Sequence, residues 1–125
     1  MKLGFSFLEL IITILIILVL LFMGFAALRD IMEKSRVAEA RYVLGQLRNA
    51  QQALSMFTGE SAQSVKELDV IAPDKCVPTH YFRYYLSSEG QRGVAERCIK
   101  GGRDPQARIS YTLSLDFRTG EFKSK

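Results

Sequence analysis

Gly4-Phe5-Ser6-Phe7-Leu8-Glu9-Leu10 opens an apolar run that continues without interruption through residue 28, FSFLELIITILIILVLLFMGFAAL from Phe5 onward. As helix, at about 1.5 Å per residue, this run is roughly 36 Å long, against about 30 Å for the hydrocarbon core of a bilayer. Glu9 is its only charge. A carboxylate at the centre of a membrane helix costs about 2.5–3.5 kcal/mol on insertion scales. Glu9 stands near the edge of the run, where the cost is smaller, but a membrane span gains nothing from it.

Beyond residue 28 the pattern changes period without a break. Val37, Ala40, Leu44, Leu47, Ala50, Leu54 and Phe57 recur in steps of three and four, which is the stripe of an amphipathic helix. Glu33, Arg36, Glu39, Arg41, Arg48, Asn49 and Gln52 occupy the other faces. No proline falls between Phe5 and Gly59. The spacing predicts one helix over about residues 6–57, roughly 80 Å long, ending at Gly59, a residue suited to the left-handed cap. Its first half is apolar all round and needs lipid or other helices. Its second half needs a small domain against its stripe.

Residues 61–76 read as a connector. Ser64-Val65-Lys66-Glu67 has the form of a capping box, which predicts a short helix over residues 65–70. Pro73 and Pro78 bracket irregular chain around Cys76. The remainder alternates. Residues 81–86 place Phe82, Tyr84 and Leu86 on one face, residues 94–100 form a weaker run, and residues 108–118 form the clearest strand. In that last run Ile109, Tyr111, Leu113, Leu115 and Phe117 share a face. Arg118-Thr119-Gly120-Glu121 reads as a turn before a short final strand at Phe122. The expected class is α+β: a long N-terminal helix, transmembrane in its first half, with a small antiparallel sheet of three or four strands packed on its outer half. A sheet of that size needs such a cover to be stable.

The opening stretch resembles the prepilin signature of type IV pilins and of the pseudopilins of secretion and DNA-uptake systems. Gly4 precedes a bulky Phe5, then Ser6, and Glu9 stands five places after the glycine. The resemblance is close over about the first thirty residues and general beyond them. It implies a leader over residues 1–4, a core half-helix over 5–28, an amphipathic half-helix over 29–59 and a periplasmic or extracellular head over 60–125. It implies cutting between Gly4 and Phe5 by a membrane prepilin peptidase, methylation of the new Phe5 amine by the same enzyme, and a role for Glu9 in assembly. The partners it implies are identical subunits in a helical homopolymer, an inner-membrane assembly platform, and the lipid bilayer before assembly. The implied location is the inner membrane as a single-pass precursor, then an extracellular filament or a periplasmic pseudopilus.

The chain departs from the family in two ways. Many members carry a helix-breaking proline near the position of Ala26; the nearest weak point here is Gly24, which costs about 1 kcal/mol against alanine. The acidic C-terminal loop that holds calcium in a major pseudopilin is represented only by Asp104, Asp116 and Glu121. Charge leaves topology open, since Lys2 precedes the run while Arg29, Lys34 and Arg36 follow it. Other readings of the run are an uncleaved signal anchor and an ordinary signal peptide cut near residues 24–27. The pilus subunit therefore stands beside two alternatives, a pseudopilin and a non-polymerising single-span membrane protein.

Cys76 and Cys98, the two cysteines, could be buried thiols, a redox pair or a structural bridge. A domain outside the cytoplasm favours the bridge, and the family often carries one in this region. Such a bridge contributes about 3 kcal/mol in the chain-entropy model. No Cys/His cluster of metal-ligand spacing occurs, so neither metal nor cofactor is expected. Catalysis is not expected either. His80 is the sole histidine, and there is no phosphate loop, nucleophile elbow or paired carboxylates. The net charge of +4 is mild. Arg83, Arg92, Arg97, Lys100, Arg103 and Arg108 make DNA a candidate partner, with a solvated surface as the plainer alternative. The aromatics along the helix (Phe5, Phe7, Phe22, Phe25, Tyr42 and Phe57) raise electron transfer, but apolar packing accounts for them and for Tyr81, Tyr84 and Tyr85.

Overall fold

The computed structural model describes residues 4–125; residues 1–3, which hold most of the expected leader and Lys2, lie outside the described residues. Helix α1 spans Phe7–Thr58 as one α-helix. It starts where Ser6 caps it: the Ser6 Oγ accepts from the Glu9 N–H at 3.3 Å, satisfying one of the helix's orphan donors. It stops at Gly59, whose φ of 73° is left-handed and whose N–H donates to the Ser55 carbonyl. The chain divides into compact units between Ser35 and Arg36, inside this helix.

In the first unit every described residue up to Met32 is exposed. Phe5 is 82% exposed and Phe22 79%. This part of α1 is long and apolar enough to cross a membrane.

The second unit, Arg36–Lys125, carries the sheet. Strands β1 (Phe82–Ser87), β2 (Arg92–Arg97), β3 (Thr112–Asp116) and β4 (Phe122–Ser124) form an antiparallel meander in sequence order. The register sets Tyr84 opposite Ala95, Ala95 opposite Leu113, and Leu115 opposite Phe122. One face of the sheet covers the stripe of α1. Ala40, Val43, Leu44 and Leu47 from the helix, Phe82, Tyr84, Ala95, Leu113 and Leu115 from the sheet, and Phe117 just after β3 make the core, with Ala62, Val65 and Leu68 of the connector closing it. Each large apolar side chain so buried contributes about 1.5–3 kcal/mol. The helix and sheet approach closely at Gly93, where a Cβ would lie 3.0 Å from Leu44 Cδ2 and 2.8 Å from Phe117 Cζ.

The elements differ in detail from expectation. Val65–Glu67 is a single 3-10 turn, not a helix through residue 70. Ser64 caps it by accepting from the Lys66 N–H, while Glu67 accepts from the Gln63 N–H, one residue ahead of the Ser64 N–H that a capping box would use. Strand β2 starts and ends earlier than residues 94–100, because the Ser88-Glu89-Gly90 turn is entirely left-handed and compact and Cys98 leaves the sheet for its disulfide. Strand β3 is shorter than residues 108–118. The chain ahead of it is drawn to the end of β2, where the Ser110 hydroxyl donates to the Arg97 carbonyl, and Ile109 is left 75% exposed. Phe57 stands 89% exposed, off the stripe whose burial ends near Leu54.

Candidate functional site

Gly4, Phe5 and Ser6 precede the first turn of α1 as exposed, non-helical chain. The Gly4–Phe5 peptide bond therefore lies outside the helix. A Cβ built on Gly4 meets nothing within 4 Å, so no contact among the described residues requires a glycine there. Glu9 is in the first turn of the helix, and its side chain is exposed. The positive end of the helix dipole favours a carboxylate at that position by about 0.3–1 kcal/mol, which offsets part of the cost noted above. The Thr13 hydroxyl donates to the Glu9 carbonyl at 2.8 Å, so the first turn holds its polar side chains close to its own backbone.

The two cysteines meet. Cys76 and Cys98 form a disulfide with Cα atoms 5.8 Å apart, and no free cysteine remains. The bridge ties the connector to the end of β2, beside a polar knot that the sequence pattern does not reveal. Asp104 accepts from Arg36 at 2.7 Å and from Arg97 at 2.9 Å. Arg97, with a side chain only 2% exposed, also donates to the carbonyls of Tyr81 and Cys98. Burial pushes the Asp104 carboxyl up, but the Gln106 N–H and the guanidinium groups of Arg36 and Arg97 outweigh it and hold the group below its ordinary value. Arg36, Arg97 and Arg103 all lie over the Tyr81 ring, 4.9, 5.3 and 5.2 Å from its centroid. The Tyr81 ring thus gathers three cations, two of which Asp104 also pairs.

Two more arginines of α1 grip the sheet. Arg48 donates to the Phe117 carbonyl at 3.0 Å, and Arg41 sits over the Phe122 ring. At the far end of the helix, buried Gln51 donates to the carbonyls of Ala62 and Gly90 and accepts from the Ala62 N–H. Sequence periodicity misses Asp104, Arg36, Arg97 and Gln51 as a set because their partners are remote in the chain. The available hint is a polar Gln51 at a stripe position, i+4 from Leu47.

The remaining candidates separate. His80 stands in a turn with its Nδ1 2.8 Å from the Thr79 hydroxyl, and its carbonyl accepts from the Arg103 N–H. Of the basic residues weighed for DNA, Arg83 pairs with Glu96 and Arg92 with Asp116, while Arg97 is in the knot. Lys100, Arg103 and Arg108 stay exposed. Packing among the described residues accounts for Tyr84 but for none of Phe5, Phe7, Phe22, Phe25, Tyr42 and Phe57, each of which is at least 66% exposed. Among the described residues, no three His, Cys, Asp or Glu side chains converge as metal ligands would. No protein-family model, no curated protein and no solved structure matches the chain.

Proposed function

We propose that this chain is a structural subunit of a type IV pilus or pilus-like filament, made as a single-span inner-membrane precursor and assembled after its leader is cut. The observation that carries this reading is the Gly4-Phe5-Ser6-x-x-Glu9 stretch: an exposed, non-helical peptide bond directly ahead of a capped helix whose apolar half is uncovered. A membrane peptidase would cut after Gly4 and methylate the Phe5 amine. Residues 5–28 cannot leave lipid for water, since each large apolar side chain would lose about 1.5–3 kcal/mol of burial. They leave lipid only by bundling with the same segment of other copies, with the assembly platform as the place of transfer and the heads outside the bundle. The disulfide in the head fits an oxidising compartment.

Two measurements on one pair of strains test this. Intact mass from cells with a prepilin peptidase should correspond to residues 5–125 plus one methyl group, and from cells without it to the full chain. Sheared, sedimentable fibres containing the protein should appear only in the first strain. Retention of residues 1–4 in both strains, with no fibres in either, overturns the proposal. Gly4→Ala should slow the cut and a bulky residue there should block it, because the close approach of a peptidase to the backbone demands glycine, while no contact among the described residues does.

A further inference from the structure

The second unit has two unlike ends. Strand β2 runs antiparallel to α1: Gly90 bonds to Gln51, Gly93 packs on Leu44, and Arg97 is linked through Asp104 to Arg36. The Gly90 turn and the start of the connector therefore lie at the Thr58 end, and the disulfide, Tyr81 and residues 97–104 at the Arg36 end. At the Thr58 end Glu60, Glu67 and Glu89 are exposed and in no ion pair among the described residues. The last turn of α1 has no basic residue, so its dipole adds to the negative potential. Lys66, the one basic residue between Gly59 and Asp74, is engaged by Asp74. At the Arg36 end Lys100, Arg103 and Arg108 are exposed, and Asp104 is already shared by Arg36 and Arg97.

Residues 36 and 58 are about 33 Å apart along a helix. That is several times the screening length of about 8 Å at physiological salt, so the two charged ends of one copy do not neutralise each other. Exposed apolar side chains accompany both. Met56 and Phe57 are 86% and 89% exposed beside the acidic end, and Ile109 is 75% exposed beside Arg108.

We propose that the Thr58 end of one copy docks onto the Arg36 end of the next, with Glu60, Glu67 and Glu89 facing Lys100, Arg103 and Arg108. This rests on the filament reading and adds to it the contact between successive heads. Met56 and Phe57 fill the centre of the contact, and the Phe57 face receives an arginine cation. The contact is heterologous, so each copy keeps one free end of each kind and the array does not close on a dimer. Charge complementarity of this sort fixes partner and register more than it sets affinity.

The test uses the full-length protein in isolated membranes and in sheared fibres, treated with a carbodiimide that joins touching carboxylates and amines. Copies of light and heavy isotope are mixed so that links between copies are recognised by mass. Links from Lys100 of one copy to Glu60, Glu67 or Glu89 of another are expected. Read through the Lys100–Glu67 link, whose two groups every variant keeps, Glu60→Lys with Glu89→Lys, or Arg103→Glu with Arg108→Glu, should each lower the contact about tenfold, and the four changes together should restore it to within about twofold. Disulfide formation reports that each variant has folded. Fibres that form normally while no inter-copy link joins these ends overturn the docking and leave the filament reading standing. Inter-copy links at these ends in a protein that never forms fibres would do the reverse. Variants that fold and assemble unchanged, or a fourfold variant that is not restored, also overturn the docking.

Discussion

Gln51 occupies a stripe position where an apolar side chain would be expected, yet it is buried and satisfies three backbone groups, the Ala62 N–H and the carbonyls of Ala62 and Gly90. Leaving buried polar groups unpaired costs about 1–3 kcal/mol each. Gln51→Leu should therefore destabilise the head by about 2–4 kcal/mol despite its greater apolarity, measured by thermal unfolding of the full-length protein in detergent through its near-ultraviolet tyrosine signal. Gly90 depends on the same place. Its φ is 82°, and a Cβ there would collide with the Ala62 carbonyl. Asp104 is the second residue that pattern alone could not identify, because its value depends on two arginines brought in from α1 and β2. Its folded pKa lies below the ordinary value, so its contribution is complete above the carboxylate range and is lost as pH falls through that range toward the folded value. Asp104→Asn should flatten this acid limb. It should also cost about 3 kcal/mol near pH 7, because Arg97 loses its counterion in a buried site while keeping its carbonyl partners. An acid melting profile unchanged by the substitution would contradict this account of the knot.

At the scale of elements, the periodicities were informative where one face is buried and silent where chain is held by side-chain chemistry. The 3.6-residue stripe located α1 to within a residue or two, since its apolar face meets the sheet from Val37 to Leu54. The alternation in β1 and β3 identified the correct inward sets, Phe82 with Tyr84 and Leu113 with Leu115. The same alternation wrongly extended β3 back to Ile109, because a period of two says nothing about whether a partner strand is present, and pairing stops at Glu96 with Thr112. The disulfide is the element that holds this irregular end. Cys98→Ser removes a bridge between residues 22 apart in sequence, and the chain-entropy model puts the loss at about 3 kcal/mol. Thiol labelling of the oxidised wild type, native and denatured, should find no reactive thiol, and the variant should melt lower with α1 intact by circular dichroism. Equal melting points would mean that the Arg36–Asp104–Arg97 knot alone fixes this end.

For the whole molecule, the division between an apolar half-helix and a covered amphipathic half was legible in the sequence, because composition and period change together near residue 28. What the apolar half packs against is outside any single chain, and that leaves Glu9 as the residue on which the filament reading turns. In the precursor its position near the N-terminus of α1 eases its charge. On the filament reading, the cut turns the Phe5 nitrogen into a cationic amine, with a reference pKa near 8 that keeps most of it protonated at neutral pH, four residues ahead of Glu9 in the chain. In lipid the two groups of one copy can neutralise each other only in part. In a bundle of half-helices, an amine from a neighbour can approach Glu9 in a dry environment, where an unpaired charge is strongly disfavoured. We therefore expect Glu9 to select the stagger of neighbouring helices, rejecting every packing that leaves it alone. Glu9→Ala and Glu9→Val should be cut after Gly4 and methylated as in the wild type, and should accumulate in the membrane without entering fibres. Variants that are cut and also polymerise at wild-type yield would remove the registry role. Variants that are not cut would place Glu9 instead among the groups the peptidase recognises.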